Sequence, residues 1–198
     1  SNGGSEVASI SAECGSALTA PADPTREGYT FAGWDPAFPD TMPADCMELT
    51  AQWTVNQYTI TFDSNGGSAV DPITADYGSA LTAPDDPTRE GYTFAGWDPA
   101  FPDTMPLDDL DLTAQWTVNQ YTITFDSSDG SAVDPITADY GSELTAPDDP
   151  TREGYTFAGW DPAFPDTMPV DGAALTAQWT VNSYAYSVVY YYDGTQDE

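Results

Sequence analysis

The sequence predicts a mainly β chain built as a tandem array of three small units, and three observations carry that prediction. The stretch PTREGYTFAGWDPAFPDTMP occurs unchanged at Pro24 to Pro43, Pro87 to Pro106 and Pro150 to Pro169. Trp53, Trp116 and Trp179 keep the 63-residue period of Tyr29, Tyr92 and Tyr155, so no insertion separates the copies. Between the copies, short runs alternate apolar and polar residues and end at Gly, Pro or Asn, the pattern of half-buried strands. A fixed period of this length marks a repeat architecture, in which units near the lower size limit for a stable core lean on their neighbours. The units expected are 1–57, 58–120 and 121–183, followed by 184–198 as an extra strand or the start of a further element.

Taken in order within the second unit, Tyr58, Ile60 and Phe62 share one face of a strand whose other face carries Thr59 and Thr61. Asp63-Ser-Asn-Gly-Gly67 ends it, because Asn65, Gly66 and Gly67 readily take the positive φ of a tight turn. Ile73, Ala75 and Tyr77 alternate again, and a short strand follows at Ala80 to Thr82. Two prolines, Pro84 and Pro87, make the next segment a loop. Tyr92-Thr-Phe-Ala-Gly-Trp97 resumes the alternation, and a bulge at Gly96 is expected to return Trp97 to the core side. Asp98 to Pro106 reads as a proline-spaced loop across the sheet, anchored by Phe101 and Met105. Leu112, Ala114 and Trp116 face inward on the last strand, and the brief connector to Tyr121 predicts a stiff, elongated rod.

Charge narrows the function classes. Against 33 Asp and Glu there are 3 Lys and Arg, a formal net charge of −30, and the cations are Arg26, Arg89 and Arg152, one per unit. Nucleic acid is excluded as a partner by like charge. Aromatic residues at 13% and at fixed repeat positions argue for a packed core despite the acidity. No run of 18 apolar residues exists, so membrane insertion is not expected, and SNGGSEVAS lacks the basic start and apolar segment of a signal peptide.

The run YTITFDSNGG, then PTREGYTFAGW, then MP followed by LTAQW resembles the internalin-type B repeat, also called the Listeria-Bacteroides repeat. The resemblance covers nearly the whole chain, and GYTFAGW and AQW are its specific signatures. It implies a β-grasp-like sheet in each unit and a role as a stalk or adhesion module on the cell surface, outside the cell. Counted from the YTITF strand, the first unit begins at the residue equivalent to Ser64 and lacks its first strand. Tyr184 to Val188 takes the place of a fourth first strand and runs on through Tyr192. Either these are the ends of an excised piece, or Tyr184, Tyr186, Val188 and Tyr190 form a donor strand that completes the first unit of another copy and builds a filament.

The candidate sites each carry two readings. Cys14 and Cys46, at positions held elsewhere by Tyr77 and Asp109, are expected to form a disulfide, which requires those positions to lie within about 7 Å, rather than a free thiol pair. Arg26, Arg89 and Arg152 serve either an anionic partner or a structural ion pair that fixes the preceding loop, and the crowd of carboxylates favours the ion pair. On that reading Arg89→Ala lowers the melting temperature of the chain, and an unchanged temperature contradicts it. Tyr92, Phe94, Trp97 and Trp116 are expected as core aromatics, and Trp34, Trp97 and Trp160, with Phe38, Phe101 and Phe164, are core or, alternatively, a sugar-binding platform. Asp63, Asp126 and Asp129 offer oxygen ligands for weak structural calcium binding, although the spacing does not complete a calcium loop. Without His, Lys or a nucleophile motif, no catalytic residue and no further cofactor are expected. The function expected is a non-enzymatic extracellular stalk or spacer. The alternatives are a filament subunit donating strand 184–192 and an adhesin for host protein or glycan.

Overall fold

The structure is a computed structural model and describes residues 1–192 and 195–196. The chain is all β. The strands are β1 (Tyr29–Asp35), β2 (Thr50–Val55), β3 (Gln57–Asp63), β4 (Ile73–Asp76), β5 (Tyr92–Asp98), β6 (Leu110–Val118), β7 (Gln120–Asp126), β8 (Ile136–Asp139), β9 (Tyr155–Asp161), β10 (Ala173–Val181), β11 (Tyr191–Tyr192) and β12 (Thr195–Gln196). They form four sheets in the orders β1-β2, β4-β3-β6-β5, β8-β7-β10-β9 and β11-β12. In both four-stranded sheets the central pair is parallel, β3 with β6 and β7 with β10, while β4, β8 and β9 run antiparallel to their neighbours. Among the described residues no helix covers these sheets, and none is long and apolar enough to cross a membrane. The proline loop takes the covering role. Met105 is buried and Phe101 stacks on Phe62, with Met105 N–H donating to the Ser79 carbonyl at 3.0 Å.

The contacts group the chain into two compact units, Ser1–Arg89 with Phe94–Trp116, and Glu90–Thr93 with Thr117–Glu198. In the first, Ile60, Met105 and Leu112 form the fully buried cluster, with Tyr58, Phe62, Trp97 and Phe101 packed around it. In the second, Ile123, Met168 and Leu175 repeat it, with Tyr121, Phe125, Trp160 and Phe164 around them. The deepest residues are therefore aliphatic. Tyr92, Phe94, Trp97 and Trp116, expected as the core, are only half-buried and form its rim. A single thin sheet covered by a loop has too little depth to enclose a ring on all sides, so only compact side chains reach full burial.

The bulge expected at Gly96 is present: its φ is +114°, and at the equivalent positions the register slips beside Gly33 and Gly159. That slip puts Phe94 and Trp97 on one face, edge to face with centroids 5.2 Å apart.

The first 56 residues fold differently. Residues equivalent to β4 and to the start of β6 form no strand, and only β1 and β2 remain. The sequence explains this directly, since a β3 equivalent is what both would pair with, and an unpaired strand leaves its N–H and C=O groups unsatisfied. Apolar exposure follows. Ile10 and Met47 are 42% and 45% exposed, whereas their counterparts Ile73 and Leu110 are half-buried.

Candidate functional site

Each repeat locks its first turn with two side chains from elsewhere. The indole N–H of Trp116 donates to the Ser64 carbonyl at 3.0 Å, and the Arg89 Nη1 donates to the Asn65 carbonyl at 3.1 Å. Trp179 to Ser127 at 3.0 Å and Arg152 to Ser128 at 3.0 Å repeat the pair, as do Trp53 to Ser1 at 3.2 Å and Arg26 to Asn2 at 3.4 Å. A Cβ on Gly67 would lie 2.5 Å from the Trp116 ring, so the turn needs glycine there. Arg26 and Arg152 also lie over Tyr29 and Tyr155, 3.8 and 4.1 Å from the ring centres.

The partner common to all three arginines is thus a main-chain carbonyl. An ion pair accompanies it at Arg152, 3.5 Å from Asp129. A turn carbonyl aimed out of the hairpin is the nearest strong acceptor, and a guanidinium with its fixed fork satisfies it without a carboxylate. Asp63 and Asp126, the calcium candidates, each spend an oxygen on the turn itself. They accept the N–H of Asn65 and of Ser128 at 2.8 and 2.9 Å. Among the described residues no three carboxylate, thiol or imidazole groups gather at one point.

Successive repeats are joined by a tyrosine set on a glycine. Gly28, buried with φ of +74°, faces Tyr77, and a Cβ there would fall 1.9 Å from the ring. Tyr77 is edge to face with both Tyr29 and Tyr58, each at 6.4 Å, and its hydroxyl donates to Glu27 Oε1 at 3.1 Å. Asn56 ties the main chain at the same point. Its N–H donates to the Gly28 carbonyl at 2.9 Å and its carbonyl accepts from Tyr77 N–H at 2.8 Å. In the second compact unit the joint recurs as Tyr140 on Gly91, with Asn119 bonded to Gly91 and Tyr140 at 2.9 and 2.8 Å. The sequence reading missed this joint, although the pairing of Glu-Gly-Tyr in one repeat with Tyr-Gly-Ser in the next was its visible trace.

The hydrogen bond and negative charge of Glu27 raise the Tyr77 hydroxyl above its ordinary value near 10. A raised folded value means the contribution of this contact is complete below the ordinary value and lost as pH rises through the folded one. Spectroscopic titration at 295 nm should therefore show tyrosinate absorbance still developing above the ordinary value, and Tyr77→Phe should remove that late portion. A Tyr77→Phe titration identical to that of the parent chain contradicts the assignment.

The first repeat carries an open groove of about 660 Å³, lined by Val7, Ile10, Leu18, Trp34, Met42 and Leu49 among others. Met42 and Leu49 are half-buried there, while their counterparts Met105 and Leu112 are fully buried beneath Ile60. The groove is therefore the place that β3 fills one period later. Cys14 and Cys46 also line it, and both are free, exposed thiols, so the expected disulfide is not formed. In the complete repeats the positions equivalent to the two cysteines do not meet either. Tyr77 follows β4, and Asp109, whose Oδ1 accepts the Thr59 N–H at 2.7 Å, precedes β6. Those positions flank β3 on opposite sides, two strand spacings or roughly 10 Å apart, beyond the reach of a disulfide.

Of the segment expected as a donor strand, Tyr184 to Tyr192, residues 184–190 pair with no strand while Tyr191 and Tyr192 form β11 against β12, and Tyr184, Tyr186 and Val188 are 75%, 87% and 56% exposed. Residues 193–194 and 197–198 of the expected last element lie outside the described residues.

Comparison with known proteins follows the same repeat. The family profile of the Listeria-Bacteroides repeat domain matches residues 1–37, 58–101 and 121–164. A protein of Evansella cellulosilytica, provisionally named a membrane protein, is 35% identical over 98% of this chain and 32% of its own length. Internalin H of Listeria monocytogenes is 40% identical over 50% of this chain and 21% of its own length. The chain therefore spans about a third or less of these relatives. Among solved structures, domains 3–4 of the Streptococcal High Identity Repeats in Tandem from a cell surface protein align over 63% of this chain and 98% of that one. Their identity is 23% and their TM-score 0.22. Three matched copies, which share the turn clasp and are joined in the same way at Gly28 and Gly91, place this chain in the Listeria-Bacteroides repeat family.

Proposed function

We propose that the chain is an extracellular, non-enzymatic spacer of a bacterial surface protein, whose repeats hold apart what lies on either side of them. The observation that carries this reading is the joint. The same Tyr-on-Gly contact and the same Asn hydrogen bonds recur at 63-residue intervals, so each repeat presents to the next what it receives from the one before. A chain of like units with like joints can be lengthened or shortened without redesign, and its terms are nearest-neighbour in kind. The location is supported by the same repeats in internalin H and in a relative named a membrane protein. The net charge of −30 suits an exposed module that must stay soluble at high local density.

Removing one period, residues 58–120, tests the reading. The cut joins Gln57 to Tyr121 and brings Tyr140 opposite Gly28, recreating the joint. A spacer predicts a folded, shorter chain with the tyrosine and tryptophan fluorescence of the remaining repeats unchanged. A shortened chain that fails to fold shows that the repeats are not equivalent and removes the reading.

A further inference from the structure

The path of the chain through a complete repeat fixes how that repeat meets a pulling force, and we infer that each one is a mechanical clamp that holds against tension, stronger in the second repeat than in the third. The inference rests on the spacer reading, because a module lying between two anchored parts is what carries tension. The chain enters the second repeat through β3 and leaves it through β6. These strands are parallel neighbours, with Ile60 opposite Leu110, Thr61 opposite Asp111, Phe62 opposite Leu112 and Asp63 opposite Thr113. Tension along the chain draws β3 towards its start and β6 towards its end, so the strands are urged to slide past each other. The bonds of a parallel ladder lie across that motion and are strained together. A slip of one residue would also bring Thr61 to the face where Ile60 and Leu112 are fully buried, which the core opposes. In the antiparallel pair β9 and β10 the geometry is the opposite. Tyr155 at the start of β9 faces Val181 at the end of β10, and a pull on those two ends opens the pair one bond at a time.

The third repeat has the same main-chain ladder, from Ala173 opposite Ile123 to Thr176 opposite Asp126. Its side chains differ. In the second repeat further bonds tie β3 and its turn to β6 and the residue before it. The Thr59 N–H donates to Asp109 Oδ1 at 2.7 Å, the Thr61 hydroxyl to Asp111 Oδ1, and the Asn65 carboxamide to the Ala114 carbonyl at 3.3 Å. The third repeat has Gly172, Ala174 and Ser128 at those places. Gly172 and Ala174 have no polar side chain, and Ser128 lacks the reach of a carboxamide. The ion pair of Arg152 with Asp129 joins the turn to the segment before β9, and so adds nothing between β7 and β10.

Constant-force stretching of the full chain, carrying Cys14→Ser and Cys46→Ser and tethered at two introduced cysteines, tests the clamp. Gln57→Cys with Gln115→Cys pulls the start of β3 against the far part of β6, whereas Gln57→Cys with Asp108→Cys pulls on the starts of both strands; all three positions are exposed. Gln120→Cys with Gln178→Cys loads the third repeat in the first manner. The clamp predicts that the sliding geometry outlasts the peeling geometry by at least about 100-fold at one force, because the bonds of the ladder yield together instead of singly. It also predicts that the second repeat outlasts the third by at least about tenfold, from its extra bonds. Ala174→Asp, at an exposed position opposite Thr124, should lengthen the lifetime of the third repeat by about fivefold. Equal lifetimes in the two geometries overturn the clamp and leave the spacer reading intact, since that reading fails on the deletion of residues 58–120 and not on this measurement. A third repeat that lasts as long as the second, or that Ala174→Asp does not strengthen, overturns the ranking.

Discussion

Truncating Leu112 to alanine is expected to destabilise the first compact unit by about 2–5 kcal/mol, while Leu49→Ala, at the same place one repeat earlier, costs on the order of 1 kcal/mol. The two leucines precede the same Thr-Ala-Gln-Trp run and differ in burial. Leu112 is fully enclosed with Ile60 and Met105, whereas Leu49 borders an open groove and is half-buried. Removing a side chain from a closed core leaves a cavity whose lining loses its contacts, and removing one from an open edge leaves only less surface to bury. Thermal or denaturant unfolding of the two variants measures the difference. Equal losses would mean that the groove of the first repeat is filled in solution or that the core around Leu112 is looser than its full burial implies.

Gly91→Ala is expected to cost more than Gly154→Ala, and the difference isolates the joint between repeats. Both glycines have positive φ, +76° and +80°, so each substitution carries a backbone penalty of about 1–2 kcal/mol. At Gly91 the new methyl would also lie 2.0 Å from the Tyr140 ring, which must leave its seat; at Gly154 nothing stands within 4 Å. The expulsion adds about 1–3 kcal/mol, the usual cost of forcing a group into a packed site. Hydrogen exchange should show faster opening near Asn119 and Tyr140 in Gly91→Ala and leave Gly154→Ala close to the parent. Equal effects at the two positions would deprive the tyrosine of its role in the joint.

Much of a single repeat was legible in its residues. The alternation of Tyr58, Ile60 and Phe62, the turn at Asn65 and Gly66, and the bulge at Gly96 are local features, and local chemistry settles them. Phe101 and Met105 as anchors of the proline loop were legible for the same reason, since spaced prolines forbid a helix and leave only those side chains to hold the loop down. What the sequence hid depends on which strands become neighbours. The parallel pairing of β3 with β6 puts Tyr77 and Asp109 on opposite sides of a strand, so a disulfide that fits the spacing of Cys14 and Cys46 along the chain does not fit across the sheet. The arginines were read as ion-paired because carboxylates are abundant in composition, while their shared partner is a turn carbonyl that composition does not display. Tyr77 and Tyr140 passed as ordinary strand residues because their glycine seats belong to the preceding repeat.

The spacer reading stands on the joint between repeats, and a distance distribution tests it most directly. Spin labels at Gln52→Cys and Gln115→Cys, equivalent exposed positions on β2 and β6 of the first compact unit, are placed in a chain carrying Cys14→Ser and Cys46→Ser. Pulsed dipolar spectroscopy on that chain should give one narrow distance, and Tyr77→Ala should broaden it. A broad distribution in the labelled chain with Tyr77 in place, indistinguishable from that of the alanine variant, would show repeats that swing freely and would contradict the account.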